Sequence, residues 1–263
     1  EIFMRFGFVA KVVVALSIVV VGIVFIKATF NRQLSTQEPV IVGKQPLPTK
    51  DVIPAFSAMT NVAEKKQAFF NFIRPGVVNA NRTIALDRQY LLDLKSSYEG
   101  QSVAPTRYLE LLKHYKLETT EFDLPTLKRL LRRVDVIPNA LVMVQAANES
   151  GWGTSRFARL GLNFFGQWCF SKGCGLVPSA RNDDASHEVK VFTSVDESIA
   201  SYLRNLNTHP AYRHLRDVRA VLREHNEAVT ASKLATGLTS YSERGEEYVL
   251  ELLQMLRHNK AYL

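Results

Sequence analysis

The sequence has few of the residues that most metal and cofactor sites require. Cys169 and Cys174 are its only cysteines, and no histidines stand at the spacing that would complete a zinc site with them. It also has no glycine-rich phosphate loop and no motif of a serine or cysteine nucleophile. Internal repeats and low-complexity tracts are absent as well. We therefore predict no cofactor and no metal.

Acidic residues are in the minority. The chain has 25 Asp and Glu residues and 33 Lys and Arg residues, so its net charge is +8 and acidic partners are favoured. The basic residues are scattered along predicted helices and mixed with acids, which does not favour a nucleic-acid partner. Hydrophobic residues make up 46% of the chain, enough for a globular core.

The N-terminal thirty residues differ from the rest. The segment 12–26 carries no charge, and extension back to Phe6 across Lys11 gives roughly the twenty residues that a membrane-spanning helix needs. We predict a retained transmembrane anchor in residues 1–32. A cleavable signal peptide is the alternative, because basic residues precede the apolar run. Either interpretation exports the remainder of the chain.

Three further regions follow. Residues 33–60 contain four prolines among polar residues, which predicts an extended linker. Residues 61–135 are predicted to form accessory helices. Pro75 is expected to end the first of them, near residue 73, and a second helix is expected over residues 83–98. Residues 136–263 are predicted to form the main domain.

A helix buried in the core is predicted for residues 139–149, which are apolar on nearly every face. An ionisable residue at the end of such a helix is costly unless it is paired or used, because burial disfavours the charged carboxylate. Glu149 is therefore a candidate general acid, since burial raises the pKa of a carboxyl group towards neutrality. The alternative is a solvated carboxylate just beyond the buried stretch.

The residues after Glu149 favour the first interpretation. Two glycines flank Trp152 in Ser150-Gly151-Trp152-Gly153, so the backbone can approach a ligand and the indole can line a sugar-binding wall. The stretch from residue 163 to residue 192 then breaks the helical pattern with glycines and ends in alternating apolar residues. It predicts a small lobe of loops and short strands.

Glu149-Ser150-Gly151-Trp152-Gly153 followed by Asn163-Phe164-Phe165-Gly166 resembles the motif of the glucosaminidase family of peptidoglycan hydrolases, glycoside hydrolase family 73, and most of all its Bax-type bacterial branch. The resemblance covers residues 136–258. It implies a mainly α, lysozyme-like domain with a small β-hairpin lobe, and hydrolysis of the β-1,4 bond between N-acetylglucosamine and N-acetylmuramic acid with Glu149 as the acid. The expected partner is the peptidoglycan glycan strand, and the protein is expected to be a monomer anchored in the inner membrane with this domain in the periplasm.

The resemblance also implies a second carboxylate in the small lobe, which would activate water or stabilise the transition state. Glu188 is the first choice because it begins a short strand, and Asp183 and Asp184 are the alternatives. Without such a carboxylate, the acetamido group of the substrate would assist. A lytic transglycosylase and a non-catalytic wall-binding module remain as alternative functions.

Tyr241 matches the active-site tyrosine of the family, although Tyr241-Ser242-Glu243-Arg244 departs from the Tyr-Ala-Thr-Asp that family members often show. Four further residues are predicted to bind substrate: Trp152, Asn163, Trp168 and Tyr248. Core packing is the alternative for Trp168, and it is the expected role of Phe164 and Phe165. The two cysteines are predicted to form a disulfide in the exported domain.

Overall fold

A single helix of 35 residues, α1 (Val62–Ser96), organises the fold. The structure is a computed structural model and describes residues 53–178 and 187–263. The Asn61 side chain caps α1 by accepting hydrogen bonds from the backbone N–H groups of Ala63 and Glu64. One face of α1 is buried along most of its length, through Phe69, Phe70, Ile73, Val77, Ile84 and Leu91.

The remaining helices and strands follow α1 in chain order. They are α2 (Thr106–His114), α3 (Leu124–Arg133), α4 (Asn139–Ser150), α5 (Arg156–Gly161), β1 (Trp168–Cys169), β2 (Gly175–Leu176), β3 (Glu188–Lys190), α6 (Val195–Thr208), α7 (Arg213–Glu224), α8 (Ala231–Ala235) and α9 (Glu246–His258). Short 3₁₀ helices occur at Phe56–Ala58, Pro210–Tyr212 and Thr236–Leu238. This mainly helical architecture with one small sheet fits a lysozyme-like fold.

Pro75 does not end the first helix, so the prediction of two separate helices is wrong. A proline inside a helix removes one backbone hydrogen bond and costs about 3 kcal/mol. Apolar side chains are buried on both sides of Pro75, and each contributes about 1.5–3 kcal/mol, which outweighs that cost. The next residue serves the packing of α1 on α6: a Cβ at Gly76 would lie 2.6 Å from Cδ1 of Ile199.

The end of the predicted linker packs against the fold instead of being extended. Phe56 is buried, and its ring centroid lies 5.5 Å from that of Phe69 and 5.8 Å from that of Phe72. A Cβ at Gly153 would lie 2.5 Å from the Phe56 ring, so the glycine permits this contact. The rest of the linker and the predicted anchor lie outside the described residues. Within the described residues, no helix has the length and apolar character needed to cross a membrane.

Helix α4 occupies the centre of the core. Every residue from Leu141 to Ala147 is buried, and α1 and α9 both pack against α4. Helix α1 also packs against α6. The helices predicted to be accessory therefore share one hydrophobic core with the rest of the described chain.

The predicted small lobe contains a three-stranded antiparallel sheet with strand order β1-β3-β2. Val189 in the central strand pairs with Trp168 on one side and Leu176 on the other. The predicted disulfide between Cys169 and Cys174 is present and closes the loop between β1 and β2.

Candidate active site

The turn that follows Glu149 brings its carboxyl group to the rim of the core. Ser150 Oγ donates a hydrogen bond to the Ala146 carbonyl at 2.6 Å and accepts one from the Gly153 N–H at 2.8 Å. Gly151, at the C-cap, has a φ of 56°, in the left-handed region where glycine has no steric penalty. The helix therefore ends directly after Glu149, which is half-buried.

A chain of three hydrogen bonds ends on Glu149. The Tyr202 hydroxyl donates to Oε1 of Gln145, Nε2 of Gln145 donates to the Tyr248 hydroxyl at 3.0 Å, and the Tyr248 hydroxyl donates to Oε1 of Glu149 at 2.8 Å. Because an amide nitrogen can only donate, the Tyr248 hydroxyl must accept from Gln145 and direct its own proton towards Glu149. Tyr202, Gln145 and Tyr248 are all buried.

The surroundings of Glu149 give its carboxyl group the electrostatics of a proton donor. Burial raises the pKa of Glu149 above its ordinary value, the hydrogen bond from Tyr248 opposes this rise, Glu251 adds to it and Arg244 opposes it. The net direction is upward. Burial and the nearby Glu149 also raise the pKa of Tyr248, so its hydroxyl keeps the proton that it donates.

Asn163 holds the loop beside this carboxyl group. Its Nδ2 donates to the carbonyls of Gln167 at 2.9 Å and Lys190 at 2.8 Å, and its Oδ1 accepts from the N–H groups of Phe165 at 3.3 Å and Gln167 at 3.0 Å. These four bonds fill the hydrogen-bonding capacity of a side-chain amide. Asn163 is also buried, so the geometry assigns it to the loop and does not support the predicted contact with substrate.

Gly166 brings that loop close to Glu149. A Cβ at Gly166 would lie 3.9 Å from Oε2 of Glu149, and Gly166 has a φ of 63°. The Tyr241 hydroxyl donates to the Phe165 carbonyl at 3.0 Å and so fixes the loop at this point. The Tyr241 ring stacks on that of Tyr248, with centroids 5.3 Å apart. Tyr241 thus lies beside Tyr248 with its hydroxyl bound to the loop, and its catalytic role stays a prediction.

The contacts of Tyr248 differ from those expected of a substrate-binding residue. Only 1% of this residue is exposed, and its hydroxyl is engaged by Gln145 and Glu149. A contact between Tyr248 and substrate stays a prediction that this geometry does not support. The site is completed by further rings. Phe165 stacks on Tyr202 with centroids 4.0 Å apart, and Tyr212 lies 5.8 Å from Tyr241.

Two comparisons with known proteins agree with this geometry. The glucosaminidase family model, described as mannosyl-glycoprotein endo-beta-N-acetylglucosaminidase, matches residues 124–261. Protein bax of Escherichia coli K12 is 36% identical over 205 residues, which cover 76% of this chain and 71% of that protein. The chain belongs to the glucosaminidase family and is a Bax-type member. No solved structure matches it.

The family match begins at the first residue of α3, twelve residues before the boundary predicted at residue 136. Helices α1 and α2 precede it. This glucosaminidase-family domain therefore takes part of its core from residues outside the family match, since α1 packs on both α4 and α6.

Glu188, the predicted second carboxylate, is buried within the small lobe. Its Oε1 accepts from the Gly173 N–H at 2.9 Å and its Oε2 from the Gly175 N–H at 2.8 Å. Both oxygens thus hold the disulfide loop, and a catalytic role of Glu188 stays a prediction. Asp183 and Asp184 lie outside the described residues, and either as the second carboxylate stays a prediction.

The two tryptophans occupy different surroundings. Trp152 packs edge-on against Phe69 and Phe70 of α1, with centroids 5.7 and 5.3 Å away, so the indole joins the motif to the N-terminal helix. Trp168 is 58% exposed and stacks on His187 with centroids 4.1 Å apart. Sugar binding by either indole stays a prediction. Phe164 and Phe165 are buried, as predicted.

Gln145 and Tyr212 are site residues that the sequence analysis missed. Gln145 stands one helical turn before Glu149 and is the only polar residue in the buried run 141–147 of α4, a signal that was available. Tyr212 follows α6 and is half-buried, and burial and the nearby Glu149 raise its pKa. Its position depends on how the chain returns after α6, which no local pattern reveals.

Proposed function

We propose that this chain is a peptidoglycan hydrolase that cleaves the β-1,4 bond between N-acetylglucosamine and N-acetylmuramic acid, with Glu149 as general acid. One observation carries the proposal. In a chain of the glucosaminidase family, the carboxyl group at the end of the buried helix receives a directed hydrogen bond from Tyr248. Burial raises its pKa, as a proton donor requires.

The two oxygens of Glu149 have different roles in this proposal. Oε1 accepts the Tyr248 hydrogen bond, so the proton is carried by Oε2, which lies on the side of Gly166. Glu149 gives this proton to the glycosidic oxygen as the bond to the anomeric carbon breaks. The carboxylate that forms is then stabilised by the hydrogen bond from Tyr248, because bonds to a charged acceptor are the stronger ones.

The reaction also needs a group that stabilises the oxocarbenium-like transition state or activates the water that attacks the anomeric carbon. Because both oxygens of Glu188 are bound within the lobe, we propose Asp183 or Asp184 as the base that activates water, or assistance by the acetamido group of the substrate. Asp183→Asn and Asp184→Asn distinguish these routes. If the substrate assists itself, both variants keep their kcat.

We also propose where the reaction takes place. A disulfide between Cys169 and Cys174 fits an oxidising compartment. Together with the predicted anchor, it supports a periplasmic domain held at the inner membrane, acting on glycan strands as a monomer.

Product analysis tests the proposal. Digestion of purified peptidoglycan is expected to release fragments with N-acetylglucosamine at the reducing end, and Glu149→Gln is expected to release none. Anhydro-muramic ends would instead indicate a lytic transglycosylase. That reaction is the second candidate because intramolecular attack needs no second carboxylate, and Glu251, the described carboxylate that acts on Glu149, is already paired with Arg244. Unchanged wall binding and cellular effect in Glu149→Gln would support a non-catalytic module.

A further inference from the structure

A second concavity lies on the far side of α6 from the candidate active site. It is a cavity of about 740 Å³ between α1, α2 and α6, within the size range of small-molecule sites. Ala200 and Arg204, one turn apart on α6, line it. Tyr202 lies between them in sequence and faces the opposite way, towards Gln145, because successive helical residues turn by about 100°.

The cavity has a small apolar floor and a charged rim. Gly76, Ala80 and Ala200 line it together with the buried residues Ile84, Leu111 and Leu203. The rim carries charges of both signs: the acids Asp87, Glu110, Asp196 and Glu197, and the bases Arg107, Lys190 and Arg204.

Several of these charges have no direct ion-pair partner in the part of the chain that the structure describes, although Lys190 interacts electrostatically with Glu197. Arg107 pairs with Asp87 at 3.2 Å. Glu110, Lys190 and Arg204 take part in no ion pair among residues 53–178 and 187–263. Charges around a concave, partly apolar surface attract a complementary ligand more strongly than charges on an open surface do.

This combination excludes two ligand classes. Sugar sites present exposed aromatic faces. Among the described residues that line the cavity, Tyr115 is the one tyrosine and is 2% exposed, and there is no tryptophan. A phosphate group would approach the cations Lys190 and Arg204 but would also meet carboxylates on the same rim. One ligand class matches both parts of the cavity. An ammonium group and carboxylates complement the charged rim, and small side chains on the same backbone fit the apolar floor.

We propose that this cavity binds a short ampholytic peptide, namely the peptide attached to the glycan strands of the cell wall. Its carboxylates would pair with Lys190 and Arg204, its ammonium group with Glu110, and its alanine methyl groups would contact the apolar floor. The choice of a cell-wall peptide rests on the proposed function. The preference for an ampholytic ligand rests on the charges that line the cavity and is independent of that function. Since α1 and α2 precede the family match, peptide recognition is a property that the N-terminal helices add to the glucosaminidase domain.

Calorimetric titration of the full chain with a synthetic alanine-glutamate-diaminopimelate-alanine peptide tests the proposal. Binding is expected to be equal in the wild type and in Glu149→Gln. Arg204→Glu reverses an exposed charge on the rim and is expected to weaken binding at least about tenfold, the effect of losing one charge-assisted contact. Lys128→Glu, at an exposed position of α3 that does not line the cavity, is the matched control and is expected to bind as the wild type does.

A second measurement separates this proposal from the proposed function. On peptide-bearing peptidoglycan, Arg204→Glu is expected to raise KM and leave kcat unchanged, and on strands stripped of peptide it is expected to match the wild type. Absence of peptide binding by the wild type, or equal weakening in Arg204→Glu and Lys128→Glu, overturns the cavity assignment. Absence of hydrolysis of either substrate by the wild type overturns the proposed function and leaves the titration result standing.

Discussion

The hydroxyl of Tyr248 lies 2.8 Å from Oε1 of Glu149, and its proton is directed to that oxygen because Gln145 donates to the same hydroxyl from the other side. The two residues are 99 positions apart in the chain, at the end of α4 and in the first turn of α9. Contact between α4 and α9 therefore determines the chemistry of the carboxyl group.

Tyr248→Phe removes a hydrogen bond that lowers the pKa of Glu149. We expect that pKa to rise further, so the alkaline limb of the kcat/KM profile, where the acid loses its proton, moves to higher pH. The maximal rate is expected to fall by about tenfold to a hundredfold, because the carboxylate formed after proton transfer loses a hydrogen bond worth about 1.5–3 kcal/mol. A limb that moves to lower pH would contradict the assigned direction of this bond.

Glu149→Gln is expected to abolish hydrolysis and, at neutral pH, to stabilise the fold. A carboxyl group whose pKa is raised in the folded state stabilises the fold only while it is protonated. This stabilisation is lost as the pH rises from the pKa of the group in the unfolded chain, about 4.3, through its pKa in the folded protein. Glutamine carries no charge at any pH. The melting temperature of the variant should therefore exceed that of the wild type at about pH 7 and match it near pH 4.

A variant that is less stable than the wild type at neutral pH would show that the ionised carboxylate contributes net stability. Glu118→Gln serves as a control for surface charge, since Glu118 is exposed and is not among the groups that act on the pKa of Glu149.

Gln145→Leu is expected to reduce both stability and activity. The buried hydroxyls of Tyr202 and Tyr248 each lose a partner, and an unsatisfied buried group costs about 1–3 kcal/mol. The Tyr248 hydroxyl also loses the donor that orients it. Urea unfolding measures the first effect, and kcat at a temperature where the variant is folded measures the second. Full kcat in a folded variant would show that orientation of Tyr248 by Gln145 is not needed.

Glu188→Gln tests whether Glu188 only holds the small lobe together or also acts as the predicted second carboxylate. The substitution replaces one oxygen by an amide nitrogen, which cannot accept a hydrogen bond from Gly173 or Gly175. The free energy of unfolding is therefore expected to fall by about 1–3 kcal/mol. If Glu188 is only structural, kcat at a low temperature, where the variant is folded, should fall less than tenfold. Such a fall corresponds to an increase of less than about 1.4 kcal/mol in the activation barrier. A loss of more than about a hundredfold there would support the catalytic role that the sequence suggests.

The successful sequence predictions rest on local patterns. The apolar run before Glu149 predicts a buried helix whatever surrounds it, and the glycine-rich stretch before Val189 predicts a small lobe. Pro75 shows the limit of such reasoning, because its local cost is outweighed by the packing of side chains on distant helices. The hydrogen-bond partners of Tyr248 and Glu188 could not be predicted from the sequence either, because only the tertiary fold brings them close to these side chains.

Phe69 and Phe72 of α1 pack against Phe164, a residue of the loop that Asn163 holds beside Glu149. A fragment cut at the start of the family match would lack both rings and leave that loop with a water-exposed aromatic surface. We therefore expect that the segment delimited by sequence comparison does not fold by itself and that its isolated expression yields aggregates, whatever its catalytic residues are.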